Sequence, residues 1–211
     1  MSVRTLLPLL MFAGFAVVFL VVLSLVVSTS RKARDNMIRL AGKLGLTLKE
    51  SKSVLGICRA PEAAGTIRGK FVRLYTYTTS SGKNSDTWAA LAVEPAVPGK
   101  LTFALTRQGL ATKLMEVFGA HEVKVGDAAF DREWFVQTNA PEFFVAALLP
   151  ELQAKLRPLA GKWELKNSRV TYVERGTFAD ARRCDRFGAT VDAACDLADV
   201  AEVYAQQPGQ S

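Results

Sequence analysis

An apolar run from Leu6 to Val27, interrupted only by Pro8, Gly14 and Ser24, constrains this chain more than any other feature. The run holds no Asp, Glu, Lys or Arg, and at about 1.5 Å per helical residue its length matches the roughly 30 Å hydrocarbon core of a bilayer. A cleavable secretory signal has a shorter apolar core, of about 7 to 15 residues, followed by small residues. The run therefore predicts that residues 1–30 form an uncleaved transmembrane anchor in contact with membrane lipid.

The basic residues on either side of the run predict its orientation. Only Arg4 precedes it, whereas a cluster that we term the juxtamembrane cations follows it: Arg31, Lys32, Arg34, Arg39 and Lys43. Because Lys and Arg are retained on the cytoplasmic side of a membrane, we expect a single-pass protein with a cytoplasmic C-terminal domain. The three cysteines are too few for a disulfide framework and agree with that compartment. A periplasmic domain remains the alternative.

Residues 31–45 predict an amphipathic juxtamembrane helix that continues the span. Apolar residues recur in it at helical spacing, namely Met37, Leu40, Ala41 and Leu44, and Gly45 is expected to end it. The juxtamembrane cations are candidates for contact with a lipid surface, since an anionic leaflet attracts each nearby cation by roughly 1 kcal/mol. The alternative is that they act only as a topology signal.

Residues 46–205 predict one soluble domain. The stretches Thr66 to Thr79 and Ser85 to Glu94 are rich in Thr, Val, Tyr and Trp and are separated by a turn with Ser and Gly, as expected for a long hairpin. Alternation along the first strand places four residues on one face, Phe71, Arg73, Tyr75 and Tyr77, and Val72 with Leu74 on the other. Both faces carry apolar groups, and we expect helices to cover one of them.

Periodicity and turn residues predict the other elements. The expected strands are 101–105, 122–125, 134–138, 162–166 and 169–174, with residues 126–131 as a polar turn whose Phe130 packs on the sheet. The expected helices are 108–118, one that begins with Asn139 as N-cap and restarts at Pro150, and 178–204 with a break at Gly188. The second helix should bury Leu148, Leu149, Leu152, Leu156 and Leu159. Residues 206–211 are expected to be a disordered tail. The fold class is α+β, a mainly antiparallel sheet with packing helices after one N-terminal transmembrane helix.

A recognisable pattern lies between Gly126 and Leu159: Gly126-Asp127-x-x-Phe130-Asp131-x-x-Trp134-Phe135-Val136, then Ala146-x-Leu148-Leu149-Pro150 and Leu152-x-x-x-Leu156. With these residues the chain resembles a group of uncharacterised bacterial membrane-anchored proteins. In that group a hydrophobic N-terminus precedes an α+β domain with a Phe-Asp-x-x-Phe-x-Val segment and a Leu-Leu-x-Pro helix. The resemblance implies a bacterial protein, anchored in the inner membrane, with that architecture. It implies no reaction.

Side chains that support catalysis or metal binding are sparse. His121 is the only histidine, and Asp127, Asp131 and Glu133 cluster without the spacing of a calcium loop. The stretch from Gly65 to Lys70 lacks the length and the following hydroxyl of a phosphate-binding loop. We expect no metal and no cofactor, and can assign no catalytic residue. An enzyme whose site forms from His121 and the three carboxylates in three dimensions remains an alternative.

The cysteines and the hairpin aromatics have simpler explanations than chemistry. Cys58, Cys184 and Cys195 lack the paired spacing of zinc or redox sites, so we expect buried thiols. On one unbroken helix Cys184 and Cys195 would be about 16 Å apart, and only a break near Gly188 would let them pair. Several hairpin residues have the composition of a single-stranded nucleic-acid platform, namely Arg68, Lys70, Arg73, Tyr75, Tyr77 and Trp88. Core packing of the aromatics is the favoured interpretation, and we expect no nucleic-acid partner.

Three functions are consistent with the sequence. The first is a non-enzymatic interaction domain tethered to the membrane, which contacts another membrane or envelope protein. The second is a membrane-anchored enzyme whose site cannot be recognised from sequence. The third is a module that senses anionic lipid through the juxtamembrane cations.

Overall fold

The computed structural model describes residues 3–49, 60–82, 84–108 and 122–207. Its helices are α1 (Val3–Leu44), α2 (Ala128–Glu133), α3 (Pro141–Ala147), α4 (Pro150–Leu156) and α5 (Ala181–Ala205). Its strands are β1 (Thr47–Lys49), β2 (Glu62–Ile67), β3 (Lys70–Ser81), β4 (Asn84–Glu94), β5 (Phe103–Arg107), β6 (Trp134–Thr138), β7 (Lys162–Lys166) and β8 (Arg169–Arg175).

Helix α1 is continuous from the apolar run into the domain. Its segment Gly14–Leu44 is long and apolar enough to cross a membrane, and the large apolar side chains from Phe15 to Val26 are exposed. Beyond them, Met37, Leu40 and Ala41 are buried, as the helical spacing predicted. The helix ends at Gly45, whose φ of +67° is easily adopted by glycine. A candidate membrane span and an amphipathic segment therefore share one helix.

One eight-stranded sheet, in the order β1-β2-β3-β4-β8-β7-β5-β6, forms the domain, and all of its pairings are antiparallel. The predicted α+β class is confirmed. The stretch predicted as the first strand of the long hairpin, Thr66 to Thr79, belongs to two strands. Arg68 and Gly69 both have positive φ and form a tight turn between β2 and β3. The second hairpin is as predicted, with Asn167 and Ser168 as its turn.

The core lies between the helices and one side of the sheet, which we call the inner face. Alternation along the central strands places Leu74, Leu91, Tyr172, Trp163 and Leu105 on that side. Every described helix contributes side chains to the same buried cluster: Met37 and Leu40 of α1, Phe130 of α2, Phe144 of α3, Leu152 and Leu156 of α4, and Phe187 and Leu197 of α5. The expectation that helices cover one face is confirmed.

Helix α5 runs unbroken through Gly188, so the predicted interruption there is wrong. A Cβ built on Gly188 would lie 3.5 Å from Leu40 Cδ1, which shows that the glycine lies at the contact between α5 and α1. Packing thus stabilises a residue of low helix propensity inside a helix. Because the helix is unbroken, Cys184 and Cys195 cannot pair, and both are free and buried.

Other local predictions between residues 122 and 150 are wrong in detail. Residues 122–125 are not a strand, although Val123 N donates to Val136 O at 2.8 Å. The predicted polar turn 126–131 overlaps the start of helix α2, with Phe130 buried as expected. The N-cap of α3 is Ala140, since the Asn139 side chain binds Thr102 N and Lys100 O instead. Leu149 is 58% exposed because the restart at Pro150 turns it away from the core.

Some predictions fall outside the described residues. These are helix 108–118 beyond residue 108, most of the tail 206–211, and the environments of Cys58 and His121.

Candidate functional site

The juxtamembrane cations extend along α1 away from the membrane. If the hydrocarbon core ends at Val27, then Arg31, Lys32 and Arg34 lie about 6 to 11 Å from it along the helix axis, and Arg39 and Lys43 about 18 and 24 Å. Arg39 donates to Asn36 Oδ1, and Lys43 Nζ lies 3.7 Å from Asp185 Oδ1. Because salt screens charges over about 8 Å, the lipid-contact prediction fits the first three cations best.

The three carboxylates of the enzyme alternative have separate structural roles. Asp127 caps α2 by accepting from Ala129 N and Phe130 N, which lowers its pKa. Asp131 accepts from Val125 N at 2.9 Å and Gly126 N at 3.1 Å. The Glu133 carboxylate pairs with Arg107 and Arg157 at 2.9 and 3.1 Å, and those hydrogen bonds lower its pKa. All three stabilise local structure.

The basic residues of the β2–β3 turn are bound by helix α5, not presented to a ligand. Arg68 pairs with Asp192, Asp196 and Asp199. The Lys70 side chain is only 5% exposed, and its Nζ lies 2.6 Å from Asp199 and 2.9 Å from Glu202. The postulated nucleic-acid platform is therefore divided between two sides of the sheet, and only its aromatic half lies together.

That aromatic half lies on the sheet side opposite the core, which we call the outer face. Tyr75 and Tyr77 follow one another along β3 with ring centroids 6.1 Å apart, and Tyr77 pairs across the ladder with Trp88 of β4. Trp88 Nε1 donates to Thr79 Oγ1 at 3.0 Å, which fixes the indole on this face. Tyr77 is 36% exposed. Side chains of this size in contact with solvent are those that most often anchor protein interfaces.

Small residues next to the aromatics form the floor of a trough. Ala90 and Ala92 follow Trp88 on the same face of β4, and Thr171 and Val173 lie beside them on β8. A cavity of about 770 Å³ opens over the β8 and β7 part of this floor, with Tyr77 and Trp88 on one side and Lys162 and Glu164 on the other. The trough is a concave, mixed apolar and polar surface.

Ion pairs surround the trough and leave its centre uncharged. Arg73 binds Glu62 through two hydrogen bonds of 2.8 and 2.9 Å, and its guanidinium lies 4.6 Å from the Tyr75 ring centroid. Three further pairs complete the border: Arg175 with Asp86, Arg169 with Glu94, and Lys162 with Glu164. An apolar centre within a charged border is the general anatomy of a protein interface.

The electrostatics of the outer face do not indicate a catalytic group. Burial raises the pKa of Tyr77, with smaller contributions from Tyr75 and Glu164, so the phenol stays protonated at neutral pH. The hydrogen bond from Arg73 lowers the pKa of Glu62, which keeps that carboxylate charged and paired. The arrangement therefore favours binding over proton transfer.

The sequence analysis missed a buried polar group on the inner face. Glu174 accepts from Tyr172 Oη at 2.6 Å and from Arg186 at 2.6 Å, and its side chain is 7% exposed. Tyr172 Oη in turn accepts from Gly161 N at 3.0 Å. Glu174 lies on β8 and Arg186 on α5, and no sequence spacing predicts that residues on two elements joined by an irregular loop will pair. The only sequence signal was the alternation along β8, which indicates that Glu174 points inward.

The chain is similar in fold to a solved structure, whereas comparisons of its sequence find no match. No family model matches the chain, and no curated protein matches it. A solved structure similar to it is the crystal structure of the mycobacterial trehalose monomycolate transport factor A, TtfA. The two chains are 12% identical, and the match covers 83% of this chain and 95% of that chain with a TM-score of 0.49. We draw nothing about the site from this likeness.

Proposed function

We propose that this protein is a membrane-anchored, non-enzymatic interaction domain whose outer face binds another integral protein of the same membrane. The observation that carries the proposal is the exposed aromatic trough with its border of ion pairs, on the side of the sheet away from every described helix. Aromatic side chains beside small ones allow close packing, and the paired charges at the border select partners by complementarity.

A partner in the same membrane follows from the anchor. Helix α1 continues from the apolar run into the core, so it keeps the outer face near the bilayer. Confinement to one membrane raises the local concentration of any other anchored protein, which permits binding through a modest surface. The bacterial inner membrane and a cytoplasmic domain are the location we propose, since the juxtamembrane cations follow the span.

The test of the interface is photo-crosslinking in living cells. A photoreactive amino acid at Thr171 on the outer face should give a discrete adduct that stays in the membrane after an alkaline wash. The same group at Ala189, on the exposed side of α5, serves as the control. Replacing Tyr77 and Trp88 by Ala should reduce the Thr171 adduct at least tenfold, because aromatic anchors each contribute about 2 kcal/mol or more.

Three outcomes contradict the proposal. Equal adducts from Thr171 and Ala189 would show that the outer face is not selective. An adduct of twice the chain's own mass would identify a second copy as the partner. A soluble adduct removed by the wash would exclude an integral membrane protein.

The topology has its own test. Single cysteines at Ser81 and Ser211, in a chain without native cysteines, should react with an impermeant thiol reagent only after lysis. Reaction in intact cells with a permeabilised outer membrane would place the domain in the periplasm and direct the search to envelope proteins.

A further inference from the structure

A second cleft lies between α1 and the β3–β4 hairpin, at the end of the apolar run. It has a volume of about 740 Å³. Its walls are the helix residues Leu25, Val26, Thr29, Ser30 and Ala33, the hairpin residues Thr76, Tyr77, Thr78 and Thr87, and the adjoining Ala60, Pro61, Thr177 and Phe178. This set includes Tyr77, so the cleft adjoins the outer face.

The hairpin points toward the membrane. At its base, Gly65 of β2 lies against Leu46 and pairs with Val72 of β3. Further along β3, Thr76 and Thr78 line the same cleft as Leu25 and Thr29 of α1. Strand β3 therefore runs alongside α1 from its C-terminal end toward the apolar run. The strand continues from Thr78 to Ser81, which extends the hairpin by about 10 Å in that direction.

The depth of the cleft corresponds to the lipid headgroup layer. Leu25 to Ala33 covers about 12 Å of helix axis, starting where the apolar run ends. The polar layer of a bilayer adds roughly 5 to 7 Å to each side of the hydrocarbon core. The cleft thus begins at the edge of the hydrocarbon and extends through the headgroups.

The lining combines apolar and hydroxyl-bearing side chains. Leu25 and Val26 lie on the helix wall, and threonine hydroxyls lie on both walls, at Thr29, Thr78 and Thr87. Thr78 and Thr87 lie opposite one another with their Oγ1 atoms 3.4 Å apart. None of the described lining residues is charged. Hydroxyls both donate and accept hydrogen bonds, so they can bind the ester, phosphate and hydroxyl oxygens of a headgroup.

We propose that this cleft holds one membrane lipid, with the upper part of an acyl chain against Leu25 and Val26 and its headgroup oxygens against the threonines. The inference rests on the membrane anchoring in the proposed function. It deepens that function, because a lipid held here lies next to Tyr77 and borders the surface offered to the partner.

The first experiment measures the depth of the hairpin in vesicles containing the full chain. A fluorophore on a single cysteine at Ser80 should be quenched by lipids with a nitroxide on the headgroup. The matched control is Lys166 on the β7–β8 hairpin, which projects from the opposite end of the sheet about 23 Å from Thr87. Equal quenching at Ser80 and Lys166 would overturn the proposal.

A third label separates failure of the anchor from failure of the cleft. A fluorophore at Val22 should be quenched by a nitroxide on the acyl chain if α1 spans the bilayer. Quenching at Val22 without quenching at Ser80 contradicts the lipid cleft alone. Loss of quenching at Val22 contradicts the anchoring itself.

The second experiment measures lipid retention by native mass spectrometry after extraction in mild detergent. The wild-type chain should retain one lipid, and Thr78→Trp, which fills the cleft, should reduce retention at least fivefold. Ala189→Trp adds the same side chain on the exposed side of α5, outside the cleft, and should retain the lipid. A wild type without lipid, or equal retention in the two variants, would overturn the proposal.

Discussion

Leu40 of α1 packs directly against Gly188 of α5, at a distance where a methyl group on residue 188 would just contact it. A Cβ at residue 188 would meet Leu40 Cδ1 at 3.5 Å, an ordinary van der Waals distance. The contact joins the helix that carries the candidate membrane span to the helix that covers the sheet. Loss of this close approach would weaken the packing of α1 on the core.

The Gly188 contact predicts opposite effects of small and large substitutions. Gly188→Ala should stabilise the protein by about 0.5 to 1 kcal/mol through higher helix propensity. Gly188→Leu should destabilise it by about 1 to 3 kcal/mol through overpacking. Chemical denaturation of the chain in detergent measures both. Gly42→Ala on α1, where a Cβ would have no neighbour within 4 Å, reports propensity alone. A Gly188→Ala variant less stable than Gly42→Ala would show that the glycine is required sterically.

Lys70 is predicted to be the strongest charged link between the sheet and α5. Lys70→Met leaves Asp199 and Glu202 without this partner, and because both carboxylates keep some solvent contact we expect a loss of about 1 to 3 kcal/mol. Lys43→Met removes a far more exposed pair with Asp185 and should change stability by less than about 0.5 kcal/mol. Comparable losses from the two variants would show that burial of Lys70 adds nothing.

Glu174 is predicted to contribute acid-sensitive stability. Burial opposes its ionisation, but hydrogen bonds from Arg186 and Tyr172 outweigh burial and lower its pKa. A carboxyl with a lowered pKa stabilises the folded state above the pKa of the unfolded chain, and that stability is lost as the pH falls through the folded value. Glu174→Gln should therefore flatten the loss of stability below about pH 4.5. Glu94→Gln on the exposed border is the control, and an unchanged pH profile for Glu174→Gln would contradict the assignment.

The juxtamembrane cations are predicted to differ in their effect on lipid binding. Neutralising Arg31, Lys32 and Arg34 together should weaken binding of the fragment from residue 29 onward to anionic vesicles. Neutralising Arg39 and Lys43 should have a smaller effect, because these cations lie about one to two Debye lengths farther from the headgroups. Co-sedimentation at low and high salt measures the difference. Equal losses from the two variants would mean that the fragment lies flat on the surface.

Elements with a local signal could be predicted from the sequence, whereas contacts between distant elements could not. The apolar run, the Gly45 stop and the Asn167-Ser168 turn each depend on a few neighbouring residues, and all three were predicted correctly. Gly188 was misjudged because its environment is created by Leu40, far away along the chain. The Arg68-Gly69 turn was missed because a non-glycine residue adopts positive φ there.

In the candidate site, too, the local features could be predicted from the sequence and the contacts between elements could not. Alternation along β3 placed Phe71, Arg73, Tyr75 and Tyr77 on one face correctly, but it could not tell which face the helices cover. The positions of Asp192 and Asp199 on α5, opposite Arg68, depend on how that helix crosses the sheet. The sequence therefore predicted the aromatic half of the trough, but it did not predict that the nearby cations pair with α5.

Because α1 is continuous, a change in the tilt of its membrane-facing part is transmitted to the domain. Helix α1 has 42 residues and is about 63 Å long. Its C-terminal part is held in the core through Met37 and Leu40. Transmembrane helices change their tilt with bilayer thickness. Any such tilt must rotate the sheet by the same angle and change the height at which its trough meets a neighbour. Lipid composition would then adjust which partners the protein can reach without altering a single contact inside it.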